Sequence, residues 1–427
     1  MKKYLFVCFC LAAQLVFFIP MVTAGPKAAP EIERSSLFQW EDFRGPETEW
    51  EYWNIHFGGQ LAADAVLYDQ DNTKDAGVRW ETVNLLLTGI CEDKFHFHLE
   101  PDLLGIDTEN NLYEAWGGWD ITPALHLRVG QIKVALNTEF ATRPENLPSI
   151  DYGFSSYLDG RYDPGVQIDG LLLDNAFWYQ GSATVGAGFD LDGKRRSDPQ
   201  ASIRAVLFPA HNIDSDLVKG SFVGLGFAWS PDYEDEIFLQ TPLRSTVFTT
   251  PDLHGDEFQC LHLEAGWYSG AFRAGAERVT GEIDDVRVGR GMTEDMDQLT
   301  SWTAFASWNI TGEKMRWSRG RWLPPRLDGR RQPAFEWLET ADIPGCLELA
   351  VRYSNADIDR GLFDGGITTY DPSTQEVRTA TINLNWYPRP GLKVIAGWIK
   401  TIADDELSTL GGSNRDSSAI IRTILTL

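Results

Sequence analysis

His126 and Arg128 alternate with Leu125, Leu127 and Val129, so an extended chain places the two basic side chains on one face and the apolar ones on the other. The same parity assigns Arg204, Arg273, Arg352, Lys393 and Arg422 to a common face with the acids Asp64, Asp169, Glu264, Glu277 and Glu348. With Arg128 that makes six bases against five acids. Such charges make and break no bonds; on the wall of a narrow aqueous space they attract, repel and orient passing ions. A catalytic reading has little to rest on. With 62 Asp and Glu residues in the chain, a pair of carboxylates suited to glycoside hydrolysis is easy to find by chance. Cys91, Cys260 and Cys346 are too scattered for a zinc site. Neither enzyme chemistry nor a metal or cofactor is therefore expected.

The elements that would hold these charges read as strands. From Trp53 to Tyr68 the apolar or small residues Trp53, Ile55, Phe57, Gly59, Leu61, Ala63, Ala65 and Leu67 fall on every second position. That length exceeds an ordinary globular strand and suits one that crosses a bilayer at a tilt. Further segments lie near 78–90, 94–100, 111–119, 124–134, 165–174, 177–189, 201–208, 221–230, 259–268, 271–280, 300–310, 345–354, 378–387, 392–401 and 418–427, sixteen in all. An even number is what a single-chain bacterial barrel requires, and closure satisfies every strand edge within lipid. Links at 120–123, 269–270 and 388–391 are tight; those at 135–164, 231–258, 281–299 and 355–377 are long. Short turns on one rim and long loops on the other are a transmembrane-barrel signature. The expected fold is an all-β, antiparallel transmembrane barrel over residues 50–427.

Targeting agrees. Lys2 and Lys3, an apolar stretch from Tyr4 to Val22 and the small residues Val22-Thr23-Ala24 describe a signal peptide over residues 1–24. Residues 25–49 read as a flexible leader. No later stretch reaches the length of a transmembrane helix, and the mean hydropathy of -0.26 is compatible with a barrel because only alternate residues meet lipid. The formal charge of -25, less the two signal lysines, gives -27 for the exported chain, which disfavours nucleic acid as a partner. Acids concentrate in 231–258 and 282–299, expected to be solvated outer loops. Trp50, Trp53, Trp116, Trp119, Trp178, Trp267, Trp386 and Trp398 fall in or at the ends of strands, where an interfacial aromatic girdle would sit.

At Leu127-Arg128-Val129-Gly130-Gln131-Ile132-Lys133-Val134 the chain resembles the phosphate-selective porin O and P family, whose members carry a similar strand before a long third loop. Val78-Arg79-Trp80 through Leu99-Glu100, Asn309-Ile310-Thr311-Gly312-Glu313, Arg352-Tyr353-Ser354 and Leu384-Asn385-Trp386-Tyr387 are similar to other strands of that family. The resemblance runs from about Trp53 to Leu427. It implies a sixteen-stranded outer-membrane porin, commonly a homotrimer in outer-membrane lipid, with one loop folded inward to narrow a water-filled path for small solutes or ions. The candidate pore-lining residues are Arg128, Lys133, Arg143, Arg161, Arg204, Arg273, Glu277, Arg352, Lys393 and Arg422. A phosphate filter needs several guanidinium or ammonium donors clustered to replace the anion's water. The near balance of inward charge instead favours weak ion preference. Lumen positions such as Ser354 and Asn383 are expected to meet water. One link departs from the pattern: 311–344 falls on the short-turn side yet is long, and its stretch 314–331 sets Lys314, Arg316, Arg319, Arg321, Arg326, Arg330 and Arg331 against Asp328. It either draws anions to the inner mouth or covers the barrel rim.

Overall fold

The computed structural model describes residues 47–50, 53–68, 77–92, 94–104, 112–122, 124–157, 161–186, 199–288, 293–327, 333–334 and 344–427. The signal peptide and nearly all of the leader lie outside the described residues, as do Asp328, Arg330 and Arg331. The barrel strands are β1 (Trp53–Leu67), β2 (Gly77–Cys91), β3 (Phe95–Pro101), β4 (Leu112–Thr122), β5 (Leu125–Val134), β6 (Arg161–Leu172), β7 (Phe177–Thr184) and β8 (Gln200–Leu207). They continue as β9 (Phe222–Ser230), β10 (Glu257–Ser269), β11 (Phe272–Arg287), β12 (Thr293–Asn309), β13 (Cys346–Asp357), β14 (Glu376–Arg389), β15 (Leu392–Leu407) and β16 (Ser413–Thr426). Each pairs antiparallel with the next, and β16 returns to β1 through Gln60–Thr426 to Leu67–Ala419, closing a sixteen-stranded barrel.

The alternation sorts the faces. On β13 the inner Glu348, Ala350, Arg352 and Ser354 are buried while Leu349, Val351 and Tyr353 are exposed on the outer face. The outer surface also carries Val129, Ile203, Leu261, Leu263, Ile382, Leu384 and Ile421. Stacked rings lie there near the short-turn rim, Phe95 on Trp119 at 5.7 Å and Phe272 on Trp308 at 5.4 Å between centroids.

The girdle reading needs correction at two positions. Trp116 and Trp178 are buried on the inner face, where they carry the guanidinium groups of Arg128 and Arg204 at 5.0 and 5.1 Å. Their even parity, shared with Arg128 and Arg204 across the ladder, places them inside. Trp119 and Trp398 are exposed as expected, and the Trp50 and Trp53 side chains lie outside the described residues.

The acidic links are also not simple solvated loops. The β11–β12 ladder runs on to Arg287–Thr293, so most of 281–299 is strand. The 231–256 link folds into two short hairpins, Tyr233–Asp235 with Leu253–Gly255 and Phe238–Gln240 with Thr246–Thr249. Its interleaved apolar side chains Ile237, Leu239, Val247 and Phe248 are buried against Leu362, Phe363 and Ile367 of the link 358–375. Acids on one side of these hairpins face solvent while the apolar positions between them form a core over the outer mouth.

Candidate functional site

β5 ends in the long third loop, and residues 135–157 of that loop fold into the lumen. Asn137 starts the turn α1 (Thr138–Ala141): its side-chain oxygen accepts from the Phe140 N–H at 2.6 Å. Pro144 sits at the first position of a second short turn, where its missing N–H costs nothing. Gly130 is required just before the loop; its φ is +136° and a Cβ there would lie 2.2 Å from the Ala115 carbonyl oxygen.

The loop is held by the barrel wall, and the holders include most of the predicted cations. The Thr138 and Glu139 N–H groups donate to Glu264 at 2.8 Å and Glu277 at 2.9 Å, two glutamates paired across β10 and β11. Arg352 pairs with Glu139 at 3.1 Å and donates to the Asp151 carbonyl. Arg422 donates to the Ile150 carbonyl at 2.7 Å and Lys393 to the Leu147 carbonyl at 2.6 Å. Phe154 N–H donates to Ser354, and the Asn385 amide to the Pro148 carbonyl. Ser354 and Asn383 therefore meet the loop and not bulk water, a correction to the expected wet face.

Each remaining candidate has a definite place. Arg128 pairs with Asp169 at 3.2 Å, and Arg143, in the loop itself, bridges Glu100 at 3.1 Å and Glu145 at 2.6 Å. Arg204 binds Glu264 at 2.8 Å and Arg273 binds Glu348 at 2.7 Å. Lys133 donates to the Tyr152 hydroxyl and lies 4.5 Å from the Phe140 ring centroid and 5.4 Å from that of Tyr162. Among the described residues, Lys133 and Lys393 are the candidate cations without a salt bridge to a carboxylate. The Arg161 backbone pairs with Val134, and its side chain lies outside the described residues.

Several residues were missed by parity alone. Glu81 on β2 gathers Arg79, Arg244 and Arg422, the last at 3.2 Å, and Arg244 comes from the outer link 231–256. Ile150 and Leu243 from two different loops pack on Ala62, Val66, Ile395, Ile399, Ile420 and Ile424 inside the wall. A signal for this existed: β16 carries Ile420, Ile421, Ile424 and Leu425, apolar on both faces, which a water-filled interior would not favour.

Burial pushes the Asp151 carboxyl up to about 6, with Glu81 adding to the rise and Arg422 and Arg244 opposing it. The folded value exceeds the ordinary ~3.9, so Asp151 is mostly neutral at pH 5 in the folded loop, and its burial costs the fold progressively as the pH rises from about 4 to 6 and no further above that. Lowering the pH from 7 to 5 removes one negative charge from the loop. Reversal potentials in a salt gradient should move toward anions over that interval, and the part of this step due to Asp151 should vanish in Asp151→Asn. An identical pH dependence in the variant would contradict the assignment.

A closed antiparallel barrel with an apolar outer band, short turns on one rim and a loop folded through a charged lumen defines an outer-membrane porin, a channel for passive diffusion in the bacterial outer membrane. Residues 244–427 match the model of the family described as phosphate-selective porin O and P. Porin O of Pseudomonas aeruginosa is 21% identical over 402 residues, 85% of this chain and 86% of that protein. The fold is shared with an anion-selective porin from Comamonas acidovorans (TM-score 0.54, 10% identity, 88% of this chain and 100% of that one). It is shared too with the trimer form of OmpT of Vibrio cholerae (TM-score 0.50, 10% identity, 88% and 100%).

Proposed function

We propose that this channel passes small hydrophilic solutes, anions among them, with weak charge preference and without a tight phosphate filter. The observation that carries this reading is the pairing of the lumenal arginines: Arg128, Arg143, Arg204, Arg273, Arg352 and Arg422 each contact at least one carboxylate. A guanidinium already engaged by Asp or Glu offers little net field and few spare donors to a phosphate that must give up its water. Lys133, half-buried and hydrogen-bonded to the Tyr152 hydroxyl, supplies residual positive charge for anion passage. The homotrimer fits the same reading, since a trimer form is known for one of the related barrels; a detergent-solubilised mass of a single chain would remove it.

Arg128 is the arginine to test. Its side chain is 20% exposed, against 4% for Arg422 and none for Arg204, so solutes reach it. In a planar bilayer under a salt gradient the unmodified protein should show a small reversal potential. Arg128→Glu should shift that potential toward cations with the barrel still assembled. An unchanged potential would place the constriction elsewhere, and submicromolar phosphate block of chloride current would overturn weak selectivity.

A further inference from the structure

The long short-side link between β12 and β13 does more than line the inner rim. Residues Arg316–Ser318 and Arg321–Leu323 form a hairpin whose Trp322 is 1% exposed. Trp322 packs among Phe222, Tyr268 and Phe305 on the inner barrel wall, with the Arg273 guanidinium 5.3 Å from its ring centroid. The hairpin therefore sits inside the barrel mouth.

It touches both ends of α1. The Trp322 N–H donates to Thr142 Oγ1 at 3.0 Å, and that hydroxyl donates to the Thr138 carbonyl at 2.7 Å. At the other end the link runs through Arg204, which is wholly buried. One of its terminal nitrogens donates to Thr138 Oγ1 at 2.7 Å and to the Gly320 carbonyl at 2.9 Å, while its Nε donates to Glu264 at 2.9 Å. The turn is built for this approach. Gly320 has φ of +80°, and a Cβ there would lie 2.8 Å from the Trp178 ring and 2.9 Å from Arg204.

We infer that the hairpin 316–323 is a strut that sets the position of the lumenal loop from the inner side, and that Arg204 is the positioning residue joining strut, loop and wall. The wall holds the far side of the loop through Arg352, Lys393 and Arg422. The near side, at α1, is fixed by wall glutamates and hairpin together. Loss of the hairpin contacts leaves α1 free to shift, and the loop's acids and cations shift with it. Conductance and ion preference then depend on a segment that lines neither outer mouth nor lipid face. This rests on the diffusion-channel reading.

The test is a double-mutant cycle read by single-channel current. Thr142→Val removes the acceptor on the loop, and Trp322→Ala removes the hairpin's anchor. Each should change conductance by about twofold or more, and the two together should do no more than Trp322→Ala alone, because both break one connection. Arg204→Lys keeps a charge for Glu264 but cannot also serve Thr138 and Gly320. It should shift the reversal potential, a readout that loss of barrel stability alone does not move. Additive effects, or unchanged conductance and reversal potential in assembled variants, overturn the strut. Where Trp322→Ala fails to assemble, Thr142→Val decides alone, since Thr142 is no part of the membrane wall. A silent unmodified protein would instead sink the diffusion-channel reading itself.

Discussion

Arg422→Ala should cost about 3–5 kcal/mol of barrel stability, the usual penalty for removing one partner of a buried ion pair. Arg422 grips Asp64 through two nitrogens, at 2.7 and 2.8 Å, and reaches Glu81 at 3.2 Å. Both carboxylates are buried, so truncation leaves negative charge without its nearest compensation. Arg79 at 3.2 Å from Asp64 and Arg244 at 2.9 Å from Glu81 soften the loss without replacing it. The loop also loses its tie at Ile150. The folded fraction, read as heat- or urea-resistant mobility on a gel, should fall sharply at pH 7. Neutralising both partners, with Asp64→Asn and Arg422→Gln, should recover much of it, because polar groups of similar shape leave no lone charge. Equal urea resistance of Arg422→Ala and the unmodified barrel would show that the cluster is not desolvated.

A charge on the outer face should be nearly as damaging. Val351 and Ile382 pair directly across β13 and β14 in the middle of their strands, and are 45% and 49% exposed in the isolated chain. Arginine at either position meets hydrocarbon, at about 2–4 kcal/mol near the midplane. Asn383, one residue along, points inward and donates toward the Pro148 carbonyl. Arginine there should leave the barrel assembled and displace the lumenal loop, changing conductance. Refolding yield into lipid vesicles separates the cases: equal yields for Ile382→Arg and Asn383→Arg would mean the faces are misassigned.

The wall was legible in the sequence because strand alternation is local. His126, Arg204 and Arg352 could be assigned a face from two or three neighbours, and the burial of each follows that parity. What fills the wall was not legible. Arg352 meets Glu139 across 213 positions, Arg422 meets Asp64 across 358, and the hairpin meets α1 across 180. No periodicity carries such distances; they exist only once the barrel has closed. For the same reason a count of six bases and five acids could indicate weak selectivity without showing which acid cancels which base. Trp116 and Trp178 were misplaced because residue type was weighed above parity.

The Asp64–Arg422 pair lies across the junction of β1 and β16, so the first and last strands of the barrel are joined by charge as well as by backbone. Asp64 belongs to the first strand, and its guanidinium partner reaches it only when the last strand arrives. A slip of one residue along that junction would turn Arg422 into lipid and Ile421 into the lumen, exchanging a buried ion pair for two misplaced side chains. The closing strand is thereby checked for register at the moment of closure, and its same arginine seats Ile150 of the lumenal loop. Closure of the wall and the seat of the loop at Ile150 thus share one side chain.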